Sequence, residues 1–370
     1  MAVFLICEFD PFHYGHEYII SEAKKARPGE ALICVMSGNF VQRGRPASYD
    51  AYTRAECAVK GGADLVLSLP FPWCMSSAEH FAFGALSVIS GLYRQGDALV
   101  FGSECGDINA LEKTADELSS PDFTAELTAY IKKTGLPYAK AREALSGSFV
   151  LSGRNDILAV EYLIAAKKLC PGLIPIPVKR NDGFLSSTEI KKAEDPLEML
   201  PPYAKEVLYA REPACMENAE RILLSHLRAS PFTRAADGEH GLLSRISAAA
   251  READGLGSLF DLAASSQFTN ARIRRVILYS YFNVDRAYLK EKPCFTQLFA
   301  ADKTGLSFLS DVRKTKTVQI ITKPSDISKL SEKAKKQYGM SRLADGLYCF
   351  CTPDITPASY FPKRTPYIEK

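Results

Sequence analysis

Two histidines and a glycine occupy a short turn close to the amino terminus. His13, Gly15 and His16 follow an apolar run at 3–6 and precede an amphipathic run at 17–25. A helix that begins in this turn directs free N–H groups and a partial positive charge towards it, and both attract phosphate. Glycine lets a ligand approach the backbone, and the imidazoles add hydrogen-bonding groups. The pattern predicts a site for the polyphosphate of a nucleotide, built without a P-loop.

The same turn admits two simpler interpretations. A histidine pair three positions apart can bind a metal ion, and the residues can also be ordinary turn residues. No third ligand stands nearby at the spacing typical of catalytic zinc, so we predict no metal site. The position after the first strand and the glycine between the histidines favour the phosphate site.

The elements around the turn are typical of an α/β protein. Short apolar runs at 3–6, 32–36, 65–69, 98–101 and 173–178 predict buried strands, and helical patterns separate them. Buried strands that alternate with helices form parallel sheets. We therefore expect an α/β fold with a Rossmann-like parallel sheet, followed by a mainly helical carboxy-terminal region.

Prolines between Pro196 and Pro202 mark a predicted domain boundary. The first domain would be 1–195, which carries the turn and the sheet. Residues 196–290 show helical patterns and would form a second domain. Residues 291–370 mix a strand pattern with a basic helix and a proline-rich, irregular tail. We expect this third part to be a small mixed α/β region.

Composition limits the class of protein. The chain has 370 residues, 46% of them hydrophobic, and a net charge of +3, which is compatible with ATP or RNA as ligands. Its ten cysteines form no C-x-x-C pair, and the first apolar run is too short for a signal sequence or a membrane span. We predict a reduced, cytoplasmic protein that does not enter a membrane.

Further polar groups stand where parallel strands end, which is where ligands bind in open α/β sheets. The loop after the second strand can also be a plain connecting loop with a solvated arginine, but its position favours a substrate-binding role. Its polar residues are Ser37, Asn39, Gln42 and Arg43. The later strands contribute a second set, whose ordinary alternatives are a turn glycine, helix caps and a solvated charge: Gly102, Asn155, Arg180, Ser186, Ser187 and Thr188.

These stretches together resemble a known family. The turn contains the HxGH signature of the nucleotidyltransferase superfamily, and the serine-rich stretch is similar to its second signature. The order of the motifs resembles the tRNA(Met) cytidine acetate ligase family over 1–195, and weakly beyond: E-F-D-P-F-H-Y-G-H at 8–16, M-S-G-N-F-V-Q-R-G at 36–44, G-G-A-D-L-V at 61–66, F-G-S-E at 101–104, N-D-I-L at 155–158 and S-S-T-E-I-K at 186–191.

The resemblance implies an activity. Members of that family activate acetate with ATP to form acetyl-adenylate and transfer the acetyl group to the wobble cytidine of elongator tRNA(Met), which yields N4-acetylcytidine. ATP, acetate and tRNA would be the ligands here, and we expect Mg²⁺ because the triphosphate charge must be neutralised. Catalytic roles fall to His13 and His16, which would stabilise phosphate oxygens as pyrophosphate leaves.

The resemblance also implies binding residues. Contacts with ATP are expected from the first segment and from the later strand ends: Cys7, Glu8, Phe9, Asp10, Pro11, Phe12, His13, Tyr14, Gly15, His16, Gly102, Asn155, Arg180, Ser186, Ser187 and Thr188. Candidate tRNA contacts lie on an arginine-containing helix: Arg272, Arg274 and Arg275.

The chain departs from the family pattern at several positions. Asp10 and Tyr14 stand where the family usually has Asn, and an anionic Asp10 would repel a triphosphate unless it bonds the backbone or helps to hold Mg²⁺. The stretch before Thr269 lacks the usual basic residues, which weakens phosphate contacts. Two alternatives remain open: an adenylyltransferase for a small phosphorylated cofactor precursor, and an RNA-binding protein with a degenerate nucleotide site.

Overall fold

The five apolar runs form the strands that the sequence predicts. The structure, a computed structural model, describes residues 1–229, 234–239 and 241–370. In the first part of the chain the strands are β1 Ala2–Cys7, β2 Ala31–Ser37, β3 Phe40–Val41, β4 Arg45–Pro46, β5 Leu65–Leu69, β6 Ala98–Ser103 and β7 Ile174–Lys179. Every residue of β1, β2 and β5 is buried, as expected for parallel strands that are covered on both faces.

Three more strands come from the end of the chain: β8 Phe295–Ala301, β9 Gln319–Ile321 and β10 Tyr367–Ile368. The sheet order is β10-β8-β5-β2-β1-β6-β7, with β9 beside β8. The five neighbouring strands β5, β2, β1, β6 and β7 run parallel to one another. Strand β8 pairs antiparallel with β5. Residues 291–370 therefore extend the amino-terminal sheet, because the buried β8 covers the edge that β5 would otherwise expose.

Helices cover the sheet and form the region between β7 and β8. Their bounds are α1 Tyr14–Ala26, α2 Ala51–Lys60, α3 Ala78–Ser90, α4 Ile108–Ser119, α5 Pro121–Thr134, α6 Tyr138–Ser146, α7 Arg154–Leu169, α8 Ser187–Ile190, α9 Pro202–Leu208, α10 Glu220–Ala229, α11 Leu242–Glu252, α12 Leu256–Ala263, α13 Asn270–Tyr281, α14 Arg286–Leu289, α15 Lys303–Val312, α16 Glu332–Cys351 and α17 Tyr360–Lys363. Helices α10 to α13 pack on one another, which matches the predicted helical region.

One helix differs from the sequence prediction. The expected basic helix at 325–338 is instead a 3₁₀ helix, Pro324–Lys329, followed by a separate helix, α16. Ser331 interrupts the pattern because its hydroxyl accepts a hydrogen bond from Ala334 N and caps α16. In the described residues no helix is both long and apolar enough to cross a membrane.

Candidate active site

The turn between β1 and α1 is held by its two histidines. His13 is the N-cap of α1, and its Nδ1 accepts a hydrogen bond from Gly15 N at 3.1 Å. In return, His16 Nδ1 accepts from His13 N at 3.3 Å. A Cβ on residue 15 would lie 2.9 Å from His13 Cε1, so glycine is needed for the ring to fold back over the helix start. The turn therefore uses both imidazoles as a capping box.

The two rings are neutral and pack against each other at an interplanar angle of 30°. Their centroids lie 3.7 Å apart, and His16 packs against the rings of Phe9 and Phe12. Burial lowers the pKa of His13 to about 4, with Arg180 adding to the effect, and burial also lowers the pKa of His16 far below its ordinary value. Because both Nδ1 atoms accept, each neutral ring carries its proton on Nε2.

The serine-rich segment meets this turn. His13 Nε2 lies 3.1 Å from Ser187 Oγ, so the ring N–H donates to that hydroxyl. Ser187 is the first residue of α8, and Ser186 caps the helix in a capping box with Glu189. The third predicted hydroxyl, on Thr188, belongs to an exposed residue. The contact joins two signatures that are 174 positions apart.

Asp10 connects three segments of the site. Its carboxylate pairs with Lys191 Nζ at 2.7 Å and with Arg45 Nη2 at 2.9 Å, and it accepts a hydrogen bond from Ser48 N at 2.7 Å. Burial alone would raise the pKa of Asp10, but Lys191 and Arg45 outweigh it and lower the pKa to about 2. The expected repulsion between this carboxylate and a triphosphate is thus offset by two cations, which the sequence analysis did not assign to it.

A buried arginine, Arg54, fixes the ends of β1 and β2. It is 1% exposed, and its guanidinium donates to Tyr49 O at 2.8 Å and to Ser37 O at 3.0 Å. It also donates to the carbonyls of Glu8 and Gly38. Nothing in the sequence singles out this residue, because an arginine within a helical pattern is usually solvated. Its donors satisfy carbonyls that would otherwise be buried without partners.

The first segment places its remaining members around the turn. Cys7 ends β1 and is buried, and Tyr14 is 41% exposed at the start of α1. Glu8 Oε1 accepts from Gln42 N at 2.6 Å, which ties this segment to the loop after β2. Burial raises the pKa of Glu8. Pro11 is buried in the same turn.

The other predicted ATP contacts lie at the ends of β6 and β7. Gly102 is in β6. Arg180 follows β7 and has an exposed side chain, whose positive charge helps to lower the pKa of His13. Asn155 lies in the first turn of α7, and its N–H donates to Glu104 Oε1 at 3.1 Å. The carboxylate of Glu104 therefore already occupies the start of α7.

Only part of the predicted substrate loop has side chains that are available to a ligand. Asn39 Oδ1 accepts from Ala51 N at 2.8 Å, and its Nδ2 donates to Asp345 Oδ1 at 2.7 Å, so its side chain supports the fold. Ser37 is buried, with its hydroxyl 3.4 Å from a backbone carbonyl. The backbone of Gln42 bonds to Glu8, as described above. Arg43, in contrast, is exposed beside the site.

The predicted tRNA-binding arginines of α13 separate into two groups. Arg272 donates to Asp237 O at 2.9 Å, and Arg275 pairs with the Asp237 carboxylate at 2.9 Å. Arg274 instead donates from Nε to Arg43 O at 3.2 Å. The structure thus brings Arg274 to the loop that carries Arg43, whereas the side chains of Arg272 and Arg275 bond within the helical region.

Comparisons with known proteins agree with this arrangement. The family model described as HIGH Nucleotidyl Transferase matches residues 1–360. The chain is 32% identical over 354 residues to the tRNA(Met) cytidine acetate ligase of Thermoanaerobacter sp. strain X514, which covers 87% of this chain and 88% of the relative. It is 33% identical over 356 residues to the protein of the same name from Caldanaerobacter subterraneus subsp. tengcongensis, with 87% and 88% covered.

A solved structure resembles the whole chain. The crystal structure of Thermotoga maritima TmcAL bound with alpha-thio ATP superimposes with a TM-score of 0.91 at 29% identity. The alignment covers 100% of this chain and 99% of that one. An apo form of the same protein gives a TM-score of 0.91 at 27% identity. The sheet and the helical region therefore share one architecture with a protein that takes up an ATP analogue.

Proposed function

Because the chain belongs to the HIGH nucleotidyl transferase family, and within it to the tRNA(Met) cytidine acetate ligases, we propose that it activates acetate with ATP and acetylates a cytidine of tRNA(Met). The observation that carries the proposal is the contact between His13 and Ser187, which joins the two nucleotide-binding signatures. In this proposal the His13–Ser187 pair, the imidazole of His16 and the start of α1 together surround the phosphates of ATP.

In the first step, an oxygen of acetate attacks the α-phosphorus of ATP. A new P–O bond forms, the bond to the bridging oxygen breaks, and pyrophosphate leaves with the electron pair. The protein supplies no nucleophile. When ATP binds, the Nε2–H of His13 exchanges Ser187 Oγ for a phosphate oxygen, and the Nε2–H of His16 donates to the same phosphate group. Ser187 and Arg180 approach the departing pyrophosphate. Catalysis in this proposal consists of positioning and charge stabilisation.

In the second step, the exocyclic amine of the cytidine attacks the acetyl carbon of acetyl-adenylate. An N–C bond forms, the C–O bond to the phosphate breaks, AMP leaves, and a proton is released from the amine. The product is N4-acetylcytidine. We further propose that the target is the wobble cytidine of the elongator tRNA. A tRNA substrate also implies that the protein acts in the cytoplasm.

The charged side chains of the site offer little to a metal ion. Asp10 is paired with Lys191 and Arg45, and Glu8 accepts a backbone hydrogen bond. No group of three metal-ligating side chains occurs among the residues that the structure describes. We propose that Mg²⁺ arrives as the counter-ion of ATP, bound by phosphate oxygens and water. No step is assigned to a metal ion that the protein itself holds.

The predicted ATP contacts fit the proposal in different ways. Gly102 and Asn155 line the side of β6 and α7, where the nucleoside would lie over the strand ends. The turn residues from Cys7 to His16 shape the phosphate side. Thr188 offers an exposed hydroxyl beside Ser187, whereas Ser186 supports the start of α8, because its N–H and its hydroxyl both donate to Glu189 Oε2. The side chain of Asp10 takes part in the site indirectly, because it holds Lys191 and Arg45 in position.

The experiment combines the chain with ATP, Mg²⁺, labelled acetate and tRNA(Met), and nucleoside analysis detects N4-acetylcytidine. Two variants of His16 separate chemistry from folding. His16→Asn keeps an acceptor for the His13 N–H but removes the Nε2 donor. We expect it to slow acetate-dependent ATP–pyrophosphate exchange by about 10²–10³-fold, as measured for the loss of one such donor.

The matched control is His80→Asn, since His80 lies on α3 and its ring bonds Ser77 Oγ at 3.1 Å. It should exchange like the wild type. Exchange that responds to a phosphorylated cofactor precursor and ignores acetate would overturn the acetate ligase proposal in favour of an adenylyltransferase. Salt-sensitive RNA binding without any exchange would mean that the nucleotide site is degenerate.

A further inference from the structure

The loop that connects β3 and β4 is clamped against α13. Arg43 O accepts from Arg274 Nε at 3.2 Å. Gly44 has a φ of +67°, and a Cβ there would lie 2.7 Å from Arg275 N. Only glycine fits this close approach. The contact holds the loop that carries Arg43 against α13.

Three arginines around this contact have no carboxylate partner within 4.0 Å in the part of the chain that the structure describes: Arg43, Arg154 and Arg274. Burial lowers the pKa of Arg43, and the charges of Arg154 and Arg45 lower it further, although Glu8 opposes them. Burial also lowers the pKa of Arg274, to which Arg45 and Arg43 contribute while Glu217 opposes them. Like charges held together in this way favour an anionic ligand.

The neighbouring cations do not compete for that ligand. Arg45 is paired with Asp10, and Arg275 with Asp237. Arg54 is enclosed among backbone carbonyls. Arg43 and Arg154 are exposed, and Arg274 is partly exposed, so a large ligand can reach all three.

The positions of the three side chains define a path. Arg154 begins α7 on the proposed nucleotide side, Arg43 lies in the loop after β2, and Arg274 belongs to the helical region. Strand β1, which carries the histidine turn, lies between β2 and β6 in the sheet. A polyanion bound along the arginines would therefore pass beside the point where the adenylate forms.

We propose that Arg43, Arg154 and Arg274 form a phosphate-binding cluster that holds the backbone of the RNA substrate beside the ATP site. The proposal rests on the proposed function and adds a location for the RNA. Guanidinium groups bind phosphate in a planar, bidentate manner, and consecutive RNA phosphates suit a row of them. Guanidinium groups would bind the terminal phosphates of ATP equally well. The test therefore measures RNA binding and ATP binding separately.

The test measures the Kd for a tRNA(Met) transcript and the Kd for Mg·ATP on the full chain. The variants are Arg43→Gln, Arg154→Gln and Arg274→Gln, singly and combined. The matched control is Arg94→Gln, because Arg94 is an exposed residue before the amino end of β6, whereas the histidine turn and Arg43 follow the carboxyl ends of β1 and β2. Each single variant should raise the Kd for tRNA by about 3–10-fold and reduce the slope of log Kd against log salt by about one.

Two results would overturn the cluster. One is an unchanged Kd for tRNA in the triple variant. The other is a raised Kd for ATP with tRNA binding retained, which would assign the arginines to the nucleotide. Because RNA binding is measured without turnover, failure of the proposed reaction is recognised separately, as wild-type protein that binds tRNA but forms no acetylcytidine.

Discussion

Neutralising the carboxylate of Asp10 should weaken the whole site, because this group holds three segments together. Asp10→Asn preserves the shape of the side chain but removes the charge that faces Lys191 and Arg45 at 2.7 and 2.9 Å. The pKa of Asp10 falls from 3.8 to about 2 in the folded protein. That shift corresponds to roughly 2 kcal/mol of folding free energy. Two cations left without their anion would increase the loss, since breaking a buried pair costs about 3–5 kcal/mol.

The sign of the pH dependence follows from the lowered pKa. The stabilisation by Asp10 is complete above about pH 4 and is lost as the pH falls through about 2, because the wild-type carboxyl then becomes protonated as well. The free-energy difference between wild type and Asp10→Asn should therefore be roughly 2 kcal/mol or more at pH 7 and should shrink below pH 4.

Urea unfolding measured by tryptophan fluorescence provides the assay. Trp73 is the single tryptophan and is fully buried, so its emission reports loss of the core. Asp182→Asn serves as the matched control, since this residue is exposed in the loop before α8, and its unfolding curve should match the wild type. If Asp10→Asn lies within about half a kcal/mol of the wild type at pH 7, or if the difference is the same at pH 3, the reasoning is wrong.

Three further predictions concern the same site. The imidazoles of His13 and His16 should remain neutral, with the proton on Nε2, from pH 6 to 8; ¹⁵N-labelled histidine spectra check this, and titration of either ring near pH 6.5 would contradict it. Arg54→Lys should lower the free energy of unfolding by about 3 kcal/mol, because an ammonium group cannot reach the four carbonyls that the planar guanidinium bonds. Urea unfolding measures this, and a stability equal to that of the wild type would be incompatible with the role of Arg54. Ser187→Ala should reduce acetate-dependent exchange by about 5–30-fold through loss of one hydrogen-bonding group, and wild-type exchange would exclude this hydroxyl from the site.

The local features of the site were predictable from the sequence. A strand, a glycine between two histidines and an amphipathic helix lie within one short segment, so their spacing alone predicts the turn. The hydroxyl cluster at 186–188 likewise sits at a helix start. That these two segments touch follows from the parallel sheet, because the carboxyl ends of its strands meet at one edge.

The long-range contacts were not predictable in the same way. That the charge of Asp10 needs compensation is evident from the sequence, but nothing local indicates that Arg45 and Lys191 provide it. Arg54 gives no signal, since the pattern of α2 does not distinguish a buried arginine from a solvated one. Strand β8 is a short apolar run that lies far along the chain from the first domain. Its place in the sheet follows from the edge of β5, which would be exposed without it. Whether the boundaries at 195 and 290 separate units that fold alone stays a prediction.

The central claim is that the start of α1 and its two imidazoles bind the polyphosphate of ATP. A crystal structure of this chain with a non-hydrolysable ATP analogue and Mg²⁺ tests it most directly. We expect the α-phosphate within hydrogen-bond distance of the Nε2 atoms of His13 and His16, with the remaining phosphates beside Ser187 and Arg180. Density for the nucleotide at any other place, with this turn left free at saturating analogue, would contradict the account.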